Sequence, residues 1–323
     1  MEPVEPLPVT RLARLAPAPE AGARWLIEDL WAAEAVGCVG GLPKQGKTWL
    51  GLEMAVAVAS GKPCLGRFRV ASPGPVLVFC AEDASHDVRA RVAGIAKARD
   101  IDFERLAVGW IGVPELLLDD VTHRRRLSMT LAELKPKLLV LDPLVRLHHG
   151  DENSAVEVAD LLGFLRGLQR QHHVAIVLVH HVRKSGASEP GTALRGSGDL
   201  HAWGDSNLYL VKRDGRPTVV VEHRANRAPP PFCVKLDGDP TRFIVEDGTV
   251  VQEAPLDQRI VQALTASPLT RTALREQLGV RNETLGVAID RLLAAGRLLR
   301  IDGGLAVPVP VPASADRRER NGP

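Results

Sequence analysis

Aromatic residues are scarce: Phe, Trp and Tyr make up 4% of the 323 residues. Stacking of bases on rings is therefore not expected to dominate any nucleic-acid contact. Cysteine is scarce too. Cys38, Cys64, Cys80 and Cys233 show no C-x-x-C pairing, which argues against a thiolate metal site and for reduced core thiols in a cytosolic protein. No apolar run reaches membrane-spanning length, and the first residues are acidic and Pro-rich rather than basic and then apolar. A soluble, cytoplasmic chain with no membrane partner is expected. A charge excess of either sign is also missing. Lys and Arg number 41 against 39 Asp and Glu, a net charge of +2, so DNA binding must be argued from placement rather than total. What the chain does have is 45% hydrophobic residues. That supports a large core, in a length suited to one large domain and a small one.

The organising stretch is residues 40–52, GGLPKQGKTWLGL. Within it Gly41, Leu42, Pro43, Lys44, Gln45, Gly46, Lys47 and Thr48 fit G-x-x-x-x-G-K-[ST], with Trp49 next. Glycines let the backbone wrap a phosphate so that amides point inward, and the following helix favours negative charge at its N-terminus. Lys47 can reach the β- and γ-phosphates of ATP, and the Thr48 hydroxyl can hold Mg²⁺. The context suits the motif. An apolar run at 35–39 reads as a strand, and an apolar helix follows to about residue 61.

Further strands are read at 76–80, 106–111, 137–142, 174–179, 205–211 and 218–222, with helices at 85–99, 121–134 and from 153 or 154 to 171. The strand at 76–80 runs into Ala81-Glu82-Asp83. A carboxylate at a strand end is where a water-activating base is needed, and Glu82 is the candidate, with Asp83 second. Asp83 also suits a helix cap. The apolar strand ending at Asp142-Pro143 puts Asp142 at the sheet's ligand-binding edge, where it can orient the metal site beside Thr48. His180 and His181 end the next strand, and His180 reads as a γ-phosphate sensor. His148 and His149 lack a third ligand at helical spacing, so a metal role for them is rejected.

The Gly- and Ser-rich stretch 185–198, with Arg195, reads as a mobile loop that could face DNA. Arg224 and Arg227, beyond the last predicted hairpin, are candidates for arginine fingers reaching a neighbouring subunit. Trp25 and Trp31 are read as core before any role beside a base. Charged faces at 89–99 and at Arg124-Arg125-Arg126 are read as solvated.

From residue 256 the pattern changes to helices at 258–266, 270–278 and 282–295, then a glycine hairpin at 296–305. Three helices and a hairpin predict a winged helix-turn-helix. Its third helix carries Glu283 and Asp290 against one Arg291, a poor surface for phosphates. Arg271, Arg275, Arg281, Arg297 and Arg300 improve the case for DNA. The expected organisation is an arm at 1–22, an ATPase domain at 23–250, a winged-helix-like domain at 256–308 and a flexible tail at 309–323.

The phosphate loop ending GKTWL, Ala81-Glu82-Asp83, Leu141-Asp142-Pro143-Leu144, Asp151-Glu152-Asn153 and His180-His181-Val182-Arg183-Lys184 together resemble the RepA-like branch of the RecA-type ATPases, AAA_25. The resemblance runs from about Trp25 to Pro231. It implies a RecA-like α/β core with a mainly parallel sheet, Mg²⁺-dependent ATP hydrolysis, and a ring-shaped hexamer with ATP bound between subunits. It further implies nucleotide and Mg²⁺ at Lys47 and Thr48, water activation by Glu82, metal orientation by Asp142 and sensing by His180. Plasmid RepA members of this family are helicases, which makes single-stranded DNA the expected partner. The C-terminal segment lies outside the match. It leaves a nucleotide-switched DNA-binding regulator as the alternative to a motor. A small-molecule kinase is disfavoured because no acceptor-binding lid is evident.

Overall fold

The computed structural model describes residues 9–14, 24–150, 155–181, 198–213, 215–239, 241–250, 256–278, 280, 282–302 and 304–308. The cap expected at Asn153 or Ser154, the loop with Arg195, Arg281, the tail and all of the arm but 9–14 fall outside them. Within the arm, Leu12–Arg14 forms a 3-10 turn. The chain divides into two compact units, the larger reaching Val251 and the smaller beginning at Gln252.

The larger unit opens with a small antiparallel pair, β1 (Trp25–Ile27) and β2 (Trp31–Ala32). Trp31 is fully buried and its indole donates to Ala35 O, so the core reading of this tryptophan holds. Then follow β3 (Val36–Gly41), α1 (Lys47–Ser60), β4 (Val76–Cys80), α2 (Ser85–Ala98), β5 (Val108–Trp110), α3 (Val121–Leu134), β6 (Leu138–Asp142), α4 (Ala155–His172), β7 (Ala175–His181) and α5 (Gly198–Trp203). Four strands complete it: β8 (Ser206–Arg213), β9 (Arg216–His223), β10 (Phe232–Asp237) and β11 (Arg242–Val250).

Nine of these strands form one sheet in the order β11-β10-β9-β8-β3-β7-β6-β4-β5. The six from β8 to β5 run parallel, and β9, β10 and β11 extend the sheet antiparallel. The sequence reading missed the last two strands.

The parallel strands are apolar on both sides, because each face is covered. Alternation still sorts their side chains. In β6, Leu138 and Val140 join the cluster around α1, while Leu139 and Leu141 join the cluster around α3 and α4. In β4, Val76, Val78 and Cys80 face α1, and Leu77 and Phe79 face the other way. In β7, Ala175, Val177 and Val179 face α1, and Ile176 and Leu178 face α4. This parity decides which residues at the strand ends meet the phosphate loop.

The smaller unit holds α6 (Leu256–Ala266), α7 (Arg271–Leu278), α8 (Asn282–Ala294) and the antiparallel pair β12 (Leu299–Ile301) and β13 (Gly304–Ala306). Its own core is built from Ile260, Leu264, Leu274, Leu285, Ile289, Leu292 and Leu305. Thr270 accepts from Ala273 N and so caps α7. Several arginines expected to face DNA are engaged within the unit. Arg291 pairs with Asp257, Arg300 lies 3.8 Å from Asp290, and Arg271 donates to Asn282 O.

Candidate active site

The stretch Leu42–Gly46 joins β3 to α1 at the carboxyl edge of the parallel strands, where open α/β sheets bind ligands. Gly41 ends β3, in register with His181 and Leu210. Leu42 N donates to Gln45 Oε1 at 3.2 Å, which closes the turn over Pro43 and Lys44. Lys44 and Gly46 both take left-handed backbone, with φ of 61° and 89°. Turns of this kind aim successive amides to one side, as an anion requires. Gly46 is also the N-cap of α1, so the helix begins at Lys47.

Lys47 is 4% exposed and its ammonium donates to Leu42 O at 2.9 Å. Burial pulls its pKa down to about 8, against the carboxylates of Asp142 and Glu82, which pull the other way. Asp142 is 7% exposed, and burial pushes its pKa up to about 6. A hydrogen bond from Thr48 and the charge of Lys47 oppose that rise, while Asp83 and Glu82 add to it. Thr48 and Asp142 thus already present two hard oxygens side by side. A cation there would relieve the buried carboxylate, and a phosphate beside Lys47 would relieve the buried ammonium. The donor set fits Mg²⁺ and a polyphosphate.

Parity puts Asp142 on the α1 face, continuing the series Leu138 and Val140. Asp142 O accepts from Ala81 N at 2.7 Å, which ties the segment after β4 to the end of β6. This places Glu82 and Asp83 at the rim of a cavity of about 570 Å³. Lys47, Thr48, Trp49, Cys80, Asp142 and His181 share its lining.

The two rim carboxylates differ in their partners. Glu82 Oε1 accepts from Arg146 Nε at 3.0 Å in an exposed pair. Asp83 is held by both ends of the Arg91 guanidinium, at 2.7 and 3.0 Å. The helix cap expected of Asp83 is not made: Ala84 is the N-cap of α2, and no side chain caps it. Arg91 also lies 5.7 Å from the centroid of the Trp49 ring, so it belongs to the cavity wall rather than to a solvated face.

The two histidines that end β7 face opposite ways. His181 has the parity of Val177 and Val179 and lines the cavity, whereas His180 follows Ile176 and Leu178 and is 2% exposed. The run at 174–179 is apolar on both faces, so its sequence carries no sign of which histidine turns inward.

Arg224 lies at the other edge of the sheet. β9 runs antiparallel to β8, and its last residue, His223, pairs with Ser206. Asp205 N in turn donates to Val36 O at the start of β3. Arg224 donates to Ala202 O and lies 3.6 Å from Asp205, so it sits far from its own phosphate loop. Arg227 is exposed on the same connection.

A second cavity, of about 250 Å³, flanks the loop on the side of the antiparallel strands. Lys44, Gln45, Gly46, Lys212, Leu236 and Phe243 line it. The sequence reading assigned nothing to Leu236 or Phe243. Asp237-Gly238 between alternating residues was the available turn signal.

A glycine-lined anion nest, a buried lysine and a paired Thr and Asp at the carboxyl edge of a mostly parallel sheet define a P-loop nucleotide-binding protein. The AAA domain family, AAA_25, matches residues 2–187. The chain belongs to that family of P-loop ATPases. Among solved structures it is similar to a KaiC-like protein of the hyperthermophilic archaeon Pyrococcus horikoshii OT3, at 18% identity and a TM-score of 0.47, over 68% of this chain and 93% of that one. Among the described residues no helix is long and apolar enough to cross a membrane.

Proposed function

We propose that this chain is a Mg²⁺-dependent ATPase of the RepA-like, RecA-type branch, acting as a ring-shaped homo-oligomer on DNA. The observation that carries the chemistry is the meeting of Lys47, Thr48 and Asp142 beneath the left-handed Gly46, with Glu82 at the rim. Lys47 would bind the β- and γ-phosphates, and Thr48 and Asp142 would hold Mg²⁺. Bound there, Mg²⁺ would offset the phosphates' charge. Glu82 would accept the proton of the attacking water, which a carboxylate can do once Arg146 turns aside. Of the two histidines His181 faces the cavity, so the sensing role expected of His180 would fall to it.

Because Arg224 lies at the edge away from its own loop, any part it takes in hydrolysis would be at a neighbour's site. That supports trans action by Arg224, then Arg227, in a ring, for which a hexamer is the expected number. Single-stranded DNA is the proposed partner of the ring. The three helices and hairpin of the smaller unit support a winged helix able to contact duplex DNA. The proposed setting is the cytoplasm, in replication or in plasmid and mobile-element maintenance, as a helicase or motor.

One observation favours the second reading, a nucleotide-switched regulator with slow turnover. Glu82 is engaged by Arg146, and Asp83 by Arg91, within the chain itself. Steady-state hydrolysis with and without single-stranded DNA separates the two. Strong stimulation together with unwinding supports the motor. Slow turnover with sequence-specific binding by residues 256–308 supports the regulator.

A further inference from the structure

We propose that Phe243 is a positioning residue for the phosphate loop, pinned in place by the pair between buried Glu53 and half-buried Arg99. The inference rests on the reading that the loop binds nucleotide.

Glu53 stands in α1 among Leu50, Leu52, Met54, Ala55 and Val56, all buried, and is itself 0% exposed. A carboxylate in such a place needs donors on both of its oxygens. Its Oε2 accepts from Arg99 Nε at 3.1 Å and Nη2 at 2.6 Å. Its Oε1 accepts from the backbone N–H of Phe243 at 2.8 Å. Arg99, the C-cap of α2, also donates to the carbonyl of Phe243 at 3.3 Å.

β11 is an edge strand, and edge strands have backbone groups without a strand partner. At Phe243 these groups are taken by a carboxylate and a guanidinium instead. Three elements, α1, α2 and β11, are thereby fastened at one residue. Arg242 adds a fourth tie, from its guanidinium to Ala98 O at 3.2 Å.

The ring of Phe243 is the consequence for the site. It is 2% exposed and closes on Gly46, so that a Cβ built on that glycine would lie 2.6 Å from Phe243 Cζ. Gly46 is the left-handed hinge at which the loop's amides turn into α1. A ring pressed against it leaves the loop little room to flip. The ring also walls the second cavity beside Lys44 and Gln45. Phe243 therefore acts on nucleotide through the loop's conformation. If its loss left only about a tenth of the molecules with a competent loop, the apparent Kd would rise about tenfold.

The test is equilibrium binding of MgADP to the full chain, which needs no turnover, measured well below every variant's melting temperature. Phe243→Leu keeps an apolar side chain but withdraws the ring from Gly46. The control is Phe232→Leu. Phe232 is a buried ring of the same sheet, packed on Phe68 at 5.0 Å, and is absent from both cavity walls. Both changes should lower the melting temperature. Only Phe243→Leu should raise Kd about tenfold, with Phe232→Leu within about twofold of wild type. Should Phe243→Leu fail to fold, Arg99→Lys keeps the charge but loses the fork on Glu53 and the bond to Phe243 O, and should raise Kd about threefold. Wild-type affinity in the folded variant, or an equal loss in Phe232→Leu, would overturn the proposal. A wild-type chain that does not bind MgADP would sink the nucleotide reading and this inference with it. Tight wild-type binding with no change in the variants would sink this inference alone.

Discussion

Asp142→Asn should stabilise the metal-free, nucleotide-free protein while abolishing its Mg²⁺-dependent hydrolysis. The carboxylate is 7% exposed, and its pKa is raised from 3.8 to about 6, chiefly by burial. A shift of about two units corresponds to roughly 3 kcal/mol that the ionised group costs the fold near pH 8. Asparagine keeps the shape and an acceptor for Thr48 but carries no charge. The attraction to Lys47 is already within that shift, and an amide answers Thr48 and Lys47 less well than a neutral carboxyl of ideal fit, so about 1–3 kcal/mol is expected. In a unit of this size that is on the order of 2–10 °C in Tm.

The sign follows from the direction of the shift. A folded pKa above the unfolded one favours the fold fully below about pH 3.8, and this benefit is lost as the pH rises through about 6. The gap between variant and wild type should thus be widest near pH 8 and narrow by about 1.4 kcal/mol by pH 5. Thermal melts with a chelator present, at several pH values, read this directly. A variant no more stable than wild type at pH 8, or a gap that does not change with pH, refutes the reasoning.

Other outcomes follow from the same geometry. Glu82→Gln should lower the hydrolysis rate about a hundredfold or more while MgADP binding stays near wild type. Asp83→Asn should leave most turnover intact and cost only about 1 kcal/mol through its pair with Arg91, and equal residual hydrolysis in the two would contradict the assignment. Glu53→Ala leaves the half-buried Arg99 and the Phe243 N–H without their carboxylate and should cost about 2–4 kcal/mol, seen as a fall in Tm on the order of 5–10 °C. Arg224→Ala should lose turnover about a thousandfold, and mixing it with Lys47→Ala subunits should restore part of it; no recovery on mixing would count against trans action.

The loop and its partner Asp142 were legible because each is marked by a local pattern. Gly41 to Thr48 lie in one turn, and Asp142 ends an apolar run that any reader would make a strand. Parity was hidden. In β7 both faces are apolar, so nothing in the sequence tells that His181, and not His180, shares the face of Asp142. Glu53 and Arg99 lie 46 residues apart, and Phe243 is 190 residues from Glu53. Such pairs arise only when helices and an edge strand converge, which periodicity cannot show. Arg91 and Arg99 read as solvated because charge runs usually are, and only packing reveals that both are held by carboxylates. β10 and β11 escaped behind Pro229-Pro230-Pro231, although the alternation resumes directly after it.

The most direct test of the account is the rate of ATP hydrolysis with and without single-stranded DNA, with Lys47→Ala as the blank. The account predicts Mg²⁺-dependent turnover that rises strongly with DNA and vanishes in Lys47→Ala. Turnover that survives in Lys47→Ala would contradict the site itself, and turnover indifferent to DNA would contradict the motor.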